Sequence, residues 1–331
     1  MLRHAVADSA AQPARAGRNR IDHGALRHLA LAMARADGRL SLSVLRLLPL
    51  DSASHFMRTL LAATLATLVG ALAASAQTVQ YRSRDGIEHR SLADSGAIAR
   101  AEREVAADPR NVEKLLALGL AQSAVRQYRE AVATFTRGIA IAPTNPLLYR
   151  WRGHRYISLG DFDRALADLR RGNGLDTLNY DIWYHLGVAH FERAEFAKSA
   201  DAFAHAQRLA PNADELAGSS DWLWMAASRA GRSAQAQQAL AAISDSLKIT
   251  TATAYAQRLK LYRGVIGPDQ VVTPADTAGV QRTTLSYGVG NWFLVRGDTV
   301  NARRWFQRAV EARGWPAFAY FAAEGELRRL K

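Results

Sequence analysis

The 331-residue chain contains no cysteine. That removes disulfide staples, thiolate metal sites, thiol nucleophiles and a lipid-bearing cysteine at once. Lysine is scarce: among the 43 basic residues only Lys114, Lys198, Lys248, Lys260 and Lys331 are lysine, and the others are arginine. Residues 1–56 hold no glutamate. The patterns of common catalytic sites are also missing, with no Gly-x-Ser-x-Gly elbow and no His-Glu-x-x-His pair. Gly172-Asn173-Gly174 and Gly288-Val289-Gly290 lack the third glycine, the following acid and the preceding strand of a dinucleotide loop. No catalytic, metal-binding or cofactor-binding residue is therefore assigned, and no cofactor is expected.

What the chain does contain is a repeated unit. The best-formed copy runs from Tyr180 to Pro211, YDIWYHLGVAHFERAEFAKSADAFAHAQRLAP. Its first half places Trp183, Leu186, Gly187 and His190 on one helical stripe, and its second half places Phe196, Ser199, Phe203 and Ala206 on another. Two facing stripes make a helical hairpin, with Trp183, His190 and Phe203 expected in its core. The same features recur at an offset of 34 residues in Gly119, Gly153 and Gly187, in Tyr128, Phe162 and Phe196, and in Phe135, Leu169 and Phe203. A 34-residue period with a Trp-x2-Leu-Gly-x2-Tyr, Ala-x3-Phe and Pro pattern resembles the tetratricopeptide repeat. The resemblance implies an all-α solenoid of helix-turn-helix repeats in a right-handed superhelix, and a protein or peptide partner held in its concave groove.

The copies drift. Repeat one begins near Val112 and closes at Pro143. Repeat two carries Arg152 where leucine is usual and Thr177 where proline is usual. Repeat four keeps Leu223, Gly231, Ala236 and Leu240, but about three residues are inserted around Asp214 to Leu216 and Trp224 replaces the small glycine. That ring is expected to alter the packing of neighbouring hairpins. Beyond Ser244 one helix spans Thr251–Gly264, the stretch VIGPDQVVTPADTAGV has no helical stripe, and a last repeat carries Gly290, Gly297, Ala302, Phe306 and Ala309. Trp315 to Leu330 reads as a helix covering the end of the array, because a terminal repeat cannot leave an apolar face in water.

The amino-terminal part reads differently. Met57-Arg58, a 15-residue apolar run TLLAATLATLVGALA and Ala74-Ser75-Ala76 match a secretory signal peptide, with cleavage after Ala76. The run is short for a membrane span of about 20 residues. An uncleaved anchor over 57–76 is the alternative, and it would be the chain's membrane contact. Residues 1–56 then read as an over-extended reading frame or a transit-type extension. The expected organisation is that extension, the signal segment at 57–76, a linker at 77–95, repeats with a capping helix started by Ser91 or Asp94 over 96–250, and divergent helices over 251–331.

Net charge is +13, but residues 1–58 account for much of it, leaving 34 basic and 26 acidic residues elsewhere. A scattered basic surface attracts polyanions without specificity. Stepping along the faces of the first helices opposite their core aromatics selects candidate partner contacts: Arg150, His154 and Ile157; Tyr184, Val188 and Phe191; Asp221 and Met225; Tyr287 and Asn291. Arg150, His154 and His185 could imitate the family's clamp for a terminal carboxylate, although the clamp's Lys and Asn are absent. The expected function is a non-catalytic scaffold of the cell envelope, periplasmic or secreted. Two alternatives stay open: a binder of an anionic polymer through arginines, and an envelope enzyme with a site near the 265–279 loop.

Overall fold

The computed structural model describes residues 77–244 and 246–330, all within the unit Ala71–Lys331. The expected extension and signal segment lie outside the described residues. Among the described residues the regular structure is thirteen α-helices, one short 3-10 turn at Pro268–Gln270 and one two-stranded antiparallel sheet. The sheet comes first, from β1 (Val79–Arg82) and β2 (Glu88–Arg90). The stretch expected to be a linker is therefore paired, turning through Gly86 at φ 80° with the Ser83 amide donating to the Ile87 carbonyl. Helix α1 (Ala97–Ala107) follows, and Asp94 starts it by accepting from the amides of Ala97 and Ile98.

Four hairpins come next: α2 (Val112–Ala124) with α3 (Tyr128–Ile141), α4 (Pro146–Ser158) with α5 (Phe162–Leu175), α6 (Tyr180–Glu192) with α7 (Phe196–Leu209), and α8 (Ala213–Arg229) with α9 (Ser233–Ala241). The first helix of each opens on an asparagine. Asn111, Asn145, Asn179 and Asn212 accept from the amides of Lys114, Leu147, Ile182 and Glu215, satisfying donors that a helix start would leave unpaired. Between the two helices the chain reverses through a residue of positive φ: Arg126 at 59°, Gly160 at 75°, Ala194 at 59° and Gly231 at 73°. Glycine meets this demand without steric cost, and Arg126 and Ala194 do not.

The repeat glycine sits where the two helices touch. A Cβ on Gly119 would lie 2.3 Å from the Phe135 ring, one on Gly153 would lie 2.8 Å from Leu169, and one on Gly187 would lie 2.8 Å from Phe203. Gly290 repeats the contact with Phe306 at 2.6 Å in the last hairpin, α11 (Gly279–Leu294) with α12 (Thr299–Glu311). In the fourth hairpin Trp224 takes the glycine's place. Its ring stacks at 3.8 Å on Tyr262 of α10 (Thr253–Tyr262). The three inserted residues form the first turn of α8, where Asp214 accepts from the amides of Thr250, Thr251 and Ala252 ahead of α10. Those donors hold its carboxyl at about 2 against the opposing effect of burial.

Each helix packs on its neighbours in the chain. The last, α13 (Phe318–Arg329), packs on α11 and α12 and also on α6. It is thus more than the end cap expected for the array. The largest apolar core lies among α6, α8, α11 and α13, where Trp222 stacks between Phe203 at 5.9 Å and Tyr287 at 6.2 Å. Smaller separate cores hold α1 to α2 and α3 to α4.

Candidate partner-binding face

The ten candidate contacts lie in one register along the first helices. Arg150, His154 and Ile157 of α4 are each 34 residues before Tyr184, Val188 and Phe191 of α6. The structure seals most of them. Ile157, Val188, Phe191, Asp221, Met225, Tyr287 and Asn291 are fully buried, Arg150 and Tyr184 nearly so, and only His154 keeps partial exposure. The expectation of an open groove along these residues is corrected for α6, α8 and α11, because the chain fills that face itself. Helix α10 packs on α8 and α11, and α13 packs on α6 and α11. The Tyr184 hydroxyl meets that of Tyr255 at 3.1 Å, and the Phe191 ring lies 5.1 Å from Trp222 and 6.3 Å from Tyr287. Arg229 donates to the Asn291 side chain at 3.4 Å and pairs with Glu326 of α13 at 2.6 Å.

Asp221 is a structural ion. Its carboxylate lies 2.8 Å from the Arg258 guanidinium, and both side chains are fully enclosed. Burial opposes the charge on Arg258, but Asp221 and the Tyr262 hydroxyl outweigh it and hold the guanidinium protonated. Gly288 makes the pairing possible, since a Cβ there would fall 2.3 Å from Arg258 Nε. Sequence reasoning dismissed the Gly288–Gly290 pair as a nucleotide loop and did not find Arg258. The available signal was one arginine in an otherwise apolar stretch facing a second glycine two residues before the repeat glycine.

Arg150, His154 and His185 do come together. The two imidazole rings lie 4.1 Å apart, and Phe318 of α13 lies 5.4 Å from His154 and 5.8 Å from His185. A carboxylate clamp is not what they build. Arg150 pairs with Asp181 at 2.6 Å and lies 3.6 Å from the Trp151 ring, so its charge is already met. Burial and the neighbouring Arg150 push His185 down to about 3, leaving it neutral. His190, expected in the core, is buried and meets Glu195 at 2.7 Å. Trp183, also expected there, is only partly buried and stacks on His205 at 4.2 Å.

Both ends of the described chain fasten onto the repeats. Trp315 donates to the Ser158 carbonyl at 3.0 Å, Tyr81 donates to Glu324 at 2.7 Å, and His89 meets the Tyr320 hydroxyl at 3.1 Å. Gln80 receives the Arg129 amide and donates to Glu130, tying β1 to the start of α3. Beside this latch is a cavity of about 400 Å³ lined by β1, α13 and the ends of α4 and α6. In the 265–279 loop, Val271 packs into the main core and Thr273 binds Asp276.

A 34-residue series of asparagine caps, left-handed turns and glycine-to-ring contacts is now on the page. The chain is a tetratricopeptide-like solenoid. No family model matches it. Over 91 residues, 28% of this chain, the solenoid is 29% identical to the heat-shock protein cognate (HSC) co-chaperone sgt12 of Aspergillus fumigatus, covering 27% of that protein. Over 100 residues, 30% of this chain, it is 26% identical to protein bimA of Emericella nidulans, covering 12% of that protein. The chain thus spans a minor part of these curated relatives. Among solved structures, that of MamA is similar over 44% of this chain and 84% of its own, at 22% identity and a TM-score of 0.41. YrrB, titled a TPR protein with an unusual peptide-binding site, is similar over 67% of this chain and 97% of its own, at 13% identity and a TM-score of 0.42.

Proposed function

We propose that the protein is a non-catalytic interaction scaffold of the cell envelope, exported through the 57–76 segment, that holds a peptide or protein partner on the inner face of its amino-terminal repeats. The observation that carries the location is a contrast within one register. Tyr184 and Val188 of α6 are buried, whereas the residues one and two repeats earlier, Leu116 and Leu120 of α2 and His154 of α4, remain partly exposed, with Trp151 beside them. A row of apolar and aromatic side chains on rigid helices suits peptide recognition, because the scaffold loses little ordering entropy on binding. The local likeness to a co-chaperone supports a protein-binding role of this kind.

The test is peptide selection against the chain from Gln77, followed by hydrogen exchange with a selected peptide bound. Protection centred on α2 and α4, and loss of binding on Leu120→Glu with an unchanged helical spectrum, are the expected results. Selected peptides that protect other helices, or that bind Leu120→Glu equally well, overturn the location. Failure of every peptide and of the captured native partner to bind overturns the scaffold reading itself. Amino-terminal sequencing of the mature protein tests export: a chain beginning near Gln77 supports it, and one retaining Met1 refutes it.

A further inference from the structure

The cavity beside the latch is not part of the repeat face, and its lining is chemically specific. Three rings form one wall: Tyr81 lies 4.9 Å from Phe321 and Phe162 lies 6.0 Å from Phe321. Arg84 of the β-turn and Arg328 of α13 line it too, and neither has a carboxylate within salt-bridge distance among the described residues. Each guanidinium disfavours the charge on the other, so Arg328 is lowered by burial and then by Arg84. The remaining wall carries Glu192, 7% exposed, whose Oε1 is sealed from solvent without a hydrogen-bond partner. Glu324 differs, because it accepts from the Tyr81 hydroxyl at 2.7 Å and is committed to holding the hairpin.

We infer that this cavity is a binding site for a small organic carboxylate with a flat apolar body. The carboxylate satisfies the two uncompensated guanidinium groups, and the body lies on the rings of Tyr81, Phe162 and Phe321. A volume of about 400 Å³ falls within the usual range for small-molecule sites, roughly 300–1,000 Å³. Glu192 supplies the third contact as a neutral acid that donates its proton to the ligand. Burial raises its carboxyl well above the ordinary range; Arg329 opposes this, and Glu326 and Glu324 reinforce it. The charged and titratable groups around it are Glu324, Glu326, Arg328 and Arg329 of α13 and Tyr287 of α11. A buried carboxyl with no donor beside it is costly to ionise. Affinity therefore falls as pH rises and Glu192 loses its proton. This site goes beyond the scaffold reading, and the two fail separately.

Isothermal titration of the full chain with 3-phenylpropionate, 3-phenylpropan-1-ol and inorganic phosphate tests it. Saturable binding of the acid is expected, with the alcohol and phosphate each at least about tenfold weaker, since an ion-assisted hydrogen bond is worth about that ratio. Arg84→Ala and Arg328→Ala each weaken the acid about tenfold, and Glu192→Gln keeps binding near neutrality while removing the decline at higher pH. Arg84 is exposed, so its variant decides even where Arg328→Ala lowers stability. No saturable binding of the acid, equal binding of the alcohol or phosphate, or full affinity in Arg84→Ala overturns the inference.

Discussion

Helices α2 to α5 and helices α6 to α13 are built on the same 34-residue geometry and use it in opposite ways. The first set keeps its inner row partly open, and its cores are small and local. The second set closes that row with α10 and α13, enclosing an aromatic column and an ion pair. The repeat therefore sets where an inner face lies. Whether the face is a groove or a core depends on what else the chain brings to it.

The sharpest way to break the contrast is at the enclosed pair. Asp221→Ala strands the Arg258 guanidinium in the core and is expected to lower stability by about 3–5 kcal/mol, read as a fall in the urea midpoint. Asp201→Ala, which removes an exposed partner of Arg232, costs under about 1 kcal/mol. If the two are equal, the second set does not depend on its buried charges. The next effect tests the contact that both sets share. Gly187→Ala drives a methyl into Phe203 and is expected to cost about 1–3 kcal/mol. Gly174→Ala in α5 meets open space and gains about 0.5–1 kcal/mol from the helix preference for alanine.

A smaller effect, opposite in sign, belongs to the turns. Ala194→Gly relieves a left-handed alanine, and after the chain-entropy cost of glycine it gains about 0.5 kcal/mol, seen as a rise in Tm. The smallest is a shape rather than a size. Asp214 has a depressed folded value, so its contribution is present above its ordinary 3.8 and is lost as pH falls towards about 2. Asp214→Asn is expected to flatten the acid limb in that window, followed by circular dichroism, while leaving the neutral and alkaline limbs unchanged.

The hairpins were legible because their determinants are local. Gly119, Gly153 and Gly187 mark close contacts, and their partners lie 16 residues away in the same unit. The asparagines at 111, 145 and 179 share the same period and could have been read alongside the glycines. The strands were hidden because β1 is four residues long and only Gln80 in it is buried, which gives no alternating apolar pattern. The filling of the inner face was hidden for another reason. Trp315 and Ser158 are 157 positions apart, and nothing in either neighbourhood names the other. Candidate residues such as Phe191 and Tyr287 were correctly placed on the inner row, yet an apolar side chain on that row suits a partner or a core equally well.

The latch between Tyr81 and Glu324 joins residues 243 positions apart. A solenoid ordinarily consolidates by adding each unit to the one before, so its early repeats can settle while later ones are still being made. Here the opening hairpin docks on a helix that emerges from the ribosome last, and closing so long a loop slows the final step. Until α13 arrives, the inner walls of α6 and α11 stand uncovered, and the newborn chain carries an adhesive surface that the finished molecule has put away.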